Sequence, residues 1–163
     1  YIEIPRGERR KFEFDIATNE RAIDRVIPPD VGGYPINYGY VPQTLSGDGD
    51  PVDVLVITPF PLVPGVVVTC RAIGILKMED EAGEDGKVLA VPIDKILSIY
   101  SHWQKPEDMN QLRLKTIAHF FEHYKDLEKG KWVKVTGWEG PEAAKKEVIN
   151  RFASNHSRLN FNL

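Results

Sequence analysis

The chain has 163 residues, 42% of them hydrophobic and 28% charged, with a formal net charge of -3 at pH 7. That length suits a single domain over 1–163 with a sizeable core, and the charge offers no general attraction for nucleic acid or an anionic membrane. One cysteine, Cys70, excludes an internal disulfide and a cysteine-built zinc site and agrees with a cytoplasmic location, while no apolar run approaches the ~20 residues of a membrane span.

The first half reads as β-structure. Tyr1-Ile2-Glu3-Ile4-Pro5 is strand-like from the start. Lys11 to Asp15 alternates polar and apolar, as a half-buried strand does. Ala22 to Ile27 predicts a second strand, stopped by Pro28-Pro29. Tyr34, Tyr38 and Tyr40 then fall within seven residues. Val52 to Thr58 predicts a central strand, and Gly65 to Lys77 is a long apolar run. The acidic segment from Glu79 to Gly86 reads as a hairpin loop, with Lys87 to Val91 the returning strand.

Helices follow. Pro106-Glu107-Asp108 predicts a helix start, and Leu112, Thr116, Ile117, Phe120, Phe121 and Tyr124 place one apolar face at helical spacing. Gly130 fits its stop, and Trp132 to Trp138 predicts another strand. Gly140-Pro141 opens a last helix that would turn Ala143, Ala144, Val148, Ile149 and Phe152 to the core. Short strands followed by two helices predict an α+β domain, with the strands curled into a small closed barrel that leaves no exposed edge.

The stretch from Asp48 to Asp53, Asp-Gly-Asp-Pro-Val-Asp, puts three carboxylates within six residues at the mouth of an apolar strand. Ionised carboxylates this close repel one another unless a cation lies among them, and a hard divalent metal prefers such oxygens. An EF-hand fails, because its fifth, sixth and twelfth positions would be Val52, Asp53 and Pro59. In an extended backbone Asp48 and Asp50 share a face and Asp53 points away, although Pro51 favours a turn that brings it back. The same residues also suit a solvated Asp-Gly turn.

Asp80, Glu81, Glu84 and Asp85 form a second acidic cluster, which could equally be a solvated hairpin tip. If the two clusters converge, five or more carboxylates share one cavity. Lys11, Arg25, Lys87 and Lys125 lie beside these acids or a tyrosine, and Tyr38 and Tyr124 add hydroxyl donors. Metals on one side and cationic side chains on the other suit a small, highly charged phosphate. His119 and His123 share a helical face, but Phe120 stands where a zinc protease has Glu, so a surface or subunit contact is the better reading. A stacking role for Tyr34, Tyr38 and Tyr40 on nucleic acid conflicts with this acid density.

On these residues the sequence closely resembles the family I soluble inorganic pyrophosphatases of bacterial type. The motif from Asp48 to Val54 carries the match. Around it lie Ile2-Glu3-Ile4-Pro5, Lys11-Phe12-Glu13, Asp24-Arg25, Tyr34 to Tyr40, Lys77 to Asp85, Lys87 and His119 to Leu127. The resemblance implies a five-stranded OB-like barrel with flanking helices. It implies hydrolysis of pyrophosphate to two orthophosphates by a metal-activated water, with several Mg²⁺ ions per site. It implies Asp50 as general base; Asp48, Asp53, Asp80, Asp85, Glu3 and Glu13 as the metal-binding acids; and Lys11, Arg25, Tyr38, Lys87, Tyr124 and Lys125 as the phosphate-binding set. It also implies a homohexamer.

Overall fold

The computed structural model describes residues 1–15, 17–47 and 49–160, without the side chains of 153–160. Its strands are β1 (Ile2–Ile4), β2 (Arg10–Asp15), β3 (Glu20–Val26), β4 (Asn37–Val41), β5 (Val52–Val56), β6 (Cys70–Asp80), β7 (Gly83–Glu84), β8 (Lys87–Pro92) and β9 (Val133–Glu139). The helices are α1 (Gln111–His123) and α2 (Pro141–Asn160). The larger sheet runs β1-β4-β5-β8-β6-β7, with β9 also paired to β6, and β2 and β3 form a ribbon of their own.

The apolar residues of β5 and β8 explain the centre of the sheet. These two strands pair in parallel, Val54 opposite Val88, and are buried on both faces, as parallel strands require. Alternation then sorts their side chains. Val52, Val54, Val56, Val88 and Ala90 pack in one cluster with Ala144 of α2. Leu55, Leu89 and Val91 pack in the other with Tyr34, Tyr38 and the α1 residues Ile117, Phe120 and Phe121. The helices therefore cover opposite faces. Asp53 alternates with Leu55 and Lys87 with Leu89, so both belong to the α1 face, where the polar residues gather.

Close backbone approach fixes β1 against β4. A Cβ at Gly39 would lie 1.9 Å from the Tyr1 carbonyl oxygen, so a side chain there would push the strands apart. The outer edge of β1 is covered by the loop before β6: Ile2 N donates to Val66 O at 3.0 Å, and Gly65 N donates to Ile2 O at 2.8 Å.

Three expectations are corrected. The sheet does not close into a five-stranded barrel; its path is open. The 11-residue β6 is long enough to serve β7, β8 and β9, and a loop shields β1 where ring closure would have done so. The helix start at Pro106 is a separate 3-10 turn, and α1 begins at Gln111, where the Asn110 side chain accepts from Leu112 N at 2.9 Å. Leu112, Ile149 and Phe152 are 74%, 66% and 41% exposed and do not face the core, whereas Leu114, Ala143, Ala144 and Val148 do.

Between the sheet and α2 lies an apolar cavity of about 320 Å³, with Cys70 in its wall. Burial pushes the Cys70 thiol up from 9.0 to about 11. At pH 8 its thiolate fraction should be about a hundredfold below that of a free thiol, because each pKa unit is tenfold in ionisation. Alkylation by iodoacetamide should be slower in that proportion in the folded protein and normal in urea. The sign for stability follows. The unfolded thiol ionises first, so this contribution is intact below pH 9 and is lost as pH rises toward 11. Equal alkylation rates in both states would contradict the burial.

Candidate active site

A second cavity, of about 720 Å³, opens on the α1 side of the sheet. Every sequence-predicted site residue except Asp48, which lies outside the described residues, lines it. Glu3 comes from β1, Lys11 and Glu13 from β2, and Arg25 from β3. Tyr38 comes from β4, and Asp50 and Asp53 from the start of β5. Asp80 ends β6, Asp85 precedes β8, Lys87 begins it, and Tyr124 and Lys125 follow α1.

The turn into β5 explains how neighbouring acids reach one cavity. Gly49 has φ +98, a left-handed conformation that favours glycine. Gly49 N donates to Ser46 O at 3.1 Å and Ser46 N to Asp50 O at 2.7 Å, so the chain doubles back before Pro51 launches the strand. Asp50 and Asp53 are thereby both placed in the wall.

Charge in the cavity is organised in pairs. Lys87 is 2% exposed, and its ammonium donates to Asp53 and to Asp85 Oδ1, the latter at 2.5 Å. Burial favours its neutral form, but the two carboxylates outweigh this and hold its pKa up. Lys125 donates to Asp80 Oδ2 at 2.6 Å. Burial would raise the Asp80 carboxyl, yet Lys125 and the backbone N–H of Ala82, at 2.8 Å, bring it below its usual range. For Glu3, burial and then the charge of Asp53 outweigh the lowering by Lys11 and by the backbone N–H of Phe14, and push it up to about 7. Lys11 contacts Glu13 at 2.5 Å and Asp24 at 3.4 Å. Burial keeps the phenols of Tyr38 and Tyr124 neutral, so each retains a proton to donate. Lys87 lies 5.9 Å from the Tyr38 ring and Lys125 5.6 Å from the Tyr124 ring.

The donor set suits hard divalent cations. Glu3, Glu13, Asp50, Asp53, Asp80 and Asp85 offer carboxylate oxygens alone, the ligands Mg²⁺ prefers. Among the described residues no three carboxylates converge as tightly as a metal would draw them. Instead, the ammonium of Lys87 fills the gap between Asp53 and Asp85, which marks that gap as a place for positive charge.

Some participants were not predicted. Glu81, Lys131, Tyr34 and Tyr40 line the cavity, and Glu81 pairs with Lys131. Glu128 holds Arg25 through Nη1, at 2.5 and 2.6 Å. Glu81 was visible as part of an acidic run. Glu128 and Lys131 sit in a charged Gly-containing loop with no pattern that separates them from solvated charges.

The comparisons agree on what this chain resembles. The family model described as inorganic pyrophosphatase matches residues 1–156. The chain belongs to the inorganic pyrophosphatase family. It is 53% identical over 158 residues to the inorganic pyrophosphatase of Xanthomonas campestris, covering 94% of this chain and 88% of that protein. It is 55% identical over 152 residues to that of Escherichia coli K12, covering 93% and 86%. The solved inorganic pyrophosphatase from Coxiella burnetii superposes with a TM-score of 0.89 at 52% identity, over 94% of this chain and 91% of that one. The Helicobacter pylori inorganic pyrophosphatase gives 0.91 at 44% identity, over 95% and 91%. In this member of the inorganic pyrophosphatase family, the described residues of the expected site set, from Glu3 to Lys125, meet in one cavity. No helix among the described residues is long and apolar enough to cross a membrane.

Proposed function

We propose that the chain is a single catalytic domain that hydrolyses inorganic pyrophosphate to two orthophosphates with Mg²⁺, in the 720 Å³ cavity. The observation that carries this reading is the meeting of an all-oxygen acid set with Lys11, Arg25, Lys87 and Lys125 around one space. Asp53, Asp80, Asp85, Glu3 and Glu13, together with Asp48, would hold the Mg²⁺ ions. Bound there, Mg²⁺ would neutralise phosphoryl oxygens and make a water easier to deprotonate.

The chain's own groups do the rest. Lys87, Lys125, Lys11 and Arg25 meet the anionic oxygens of pyrophosphate with charge-assisted hydrogen bonds. The neutral phenols of Tyr38 and Tyr124 donate to the same oxygens without adding charge. Asp50 accepts a proton from the attacking water as its oxygen bonds to one phosphorus. The bridging P–O bond breaks, and the leaving orthophosphate keeps the electron pair, stabilised by the cations on its side. Phosphate release from pyrophosphate with added Mg²⁺ tests this, and exhaustive chelation should abolish it. Full turnover without divalent metal would remove the acids from the role given them here.

A cytoplasmic homohexamer is the form we propose. The His119 and His123 rings lie 4.3 Å apart on one face of α1, and His123 Nδ1 is 2.8 Å from Asp126 Oδ2. Light scattering should give six chains at neutral pH. A monomer at neutral pH with Mg²⁺ present would refute the assembly.

A further inference from the structure

We propose that Glu128 is a positioning residue for this reaction: its carboxylate fixes the Arg25 guanidinium at the cavity wall in the orientation that receives a phosphoryl oxygen. The inference rests on the reading of the cavity as a pyrophosphate site and adds a residue that the sequence motifs do not mark.

The need for such a residue comes from how Arg25 is carried. β2 and β3 form a ribbon outside the main sheet, and a two-stranded ribbon alone is marginally stable in water. Every residue of β3 except Arg25 is exposed. Arg25 is therefore the one half-buried side chain of the strand, long and with several rotatable bonds. Left to itself it would sample many orientations.

Glu128 removes that freedom from the opposite side. It lies 103 positions away in sequence, in the loop between α1 and β9, and both its oxygens accept from Arg25 Nη1, at 2.5 and 2.6 Å. The guanidinium also lies 5.6 Å from the Tyr124 ring, which packs on the same wall. With Nη1 committed to Glu128, the Nε side remains for another acceptor. Arg25 Nε is buried and has no hydrogen-bond partner; Asp24 Oδ2, at 3.7 Å, is too far to accept. A buried donor left without an acceptor is costly and calls for an explanation. A phosphoryl oxygen of bound pyrophosphate is the acceptor it fits. Glu128 itself is not part of the cavity lining, so it acts through Arg25 rather than on substrate.

The test is a double-mutant cycle on pyrophosphate hydrolysis with saturating Mg²⁺, with thermal melts on each protein. Glu128→Ala should lower kcat/KM about 10- to 100-fold, the order expected when a binding group is misplaced by about an ångström. Glu128→Gln keeps an acceptor but not the charge, and should fall between Glu128→Ala and the wild type. Arg25→Ala should lose more, and adding Glu128→Ala to it should cost nothing further, since the pair acts as one unit. A wild-type kcat/KM in Glu128→Ala would overturn the proposal. So would an equal loss from Glu128→Ala in both backgrounds, which is what a general effect on the fold produces. Unchanged turnover in Arg25→Ala would overturn it by removing Arg25 from the reaction, while leaving the pyrophosphatase reading intact. Absence of turnover in the wild type would instead refute that reading, and the positioning role with it.

Discussion

Asp50→Asn should lower pyrophosphate turnover by about 10²–10⁴-fold at neutral pH, the usual cost of losing a general base. Asparagine keeps the shape of aspartate and loses nearly all its basicity. Asp50 enters the cavity from the Gly49 turn, whereas Asp53, three residues on, is bound into the strand and to Lys87. The two substitutions should therefore separate. Asp50→Asn should leave tight Mg²⁺ binding intact, gain nothing from extra Mg²⁺, and recover part of its rate at high pH, where bulk hydroxide replaces the missing acceptor. Asp53→Asn should weaken Mg²⁺ binding and rate together, with partial recovery in excess Mg²⁺. Metal titration and a pH–rate profile of both variants decide it. Near-normal turnover of Asp50→Asn at pH 7 would show that the proton goes elsewhere.

Lys87→Met should damage both chemistry and stability. Methionine matches the length and apolar stem of lysine but removes the ammonium that joins Asp53 to Asp85. Loss of one such donor to a reacting anion commonly costs about 10²–10³-fold in kcat. Removing one member of a buried ion pair typically costs about 3–5 kcal/mol, because its partners keep their charge without compensation. Here the partners are 22% and 15% exposed, so the lower end of that range is expected. Urea denaturation in a chelator should show the loss. Added Mg²⁺ should restore much of the stability, since any cation between those carboxylates relieves their repulsion, but not the rate. Unchanged stability in chelator would mean that Asp53 and Asp85 do not depend on Lys87.

The sequence was most readable where one physical demand dominated. The β-branched run of β5 and the aliphatic run of β8 declared a buried sheet centre, and the predicted site residues that are described do line one cavity. Counting along an extended strand put Asp53 on the face away from Asp50. Pro51 was the residue expected to bring it back, and both do line the cavity: Asp50 lies in the turn before β5, and alternation holds only within the strand itself. Helical spacing marked Leu112 as core, yet it sits in the first turn of α1, and Leu114 is buried instead. On α2 the packing is made by Ala143, Ala144 and Val148, while Ile149 stays largely exposed beside the apolar cavity. Open or closed sheet topology depends on which strand β6 pairs with beyond β8, and no local pattern encodes that. The partnership of Arg25 with Glu128 is likewise legible only once the chain has folded.

The parallel pairing of β5 with β8 also sets when the cavity can exist. A parallel neighbour cannot be reached by a tight hairpin, so the chain must travel out through the loop that covers β1, along β6, and back before Asp53 meets Lys87. Such distant closures are slow in folding, because loop entropy is lost before contacts compensate. On the ribosome Asp50 and Asp53 emerge well before the ammonium that joins Asp53 to Asp85, and earlier still than Lys125. In refolding, helical signal should return ahead of pyrophosphate turnover, and a chain stopped short of Tyr124 should carry much of the acid and no working centre.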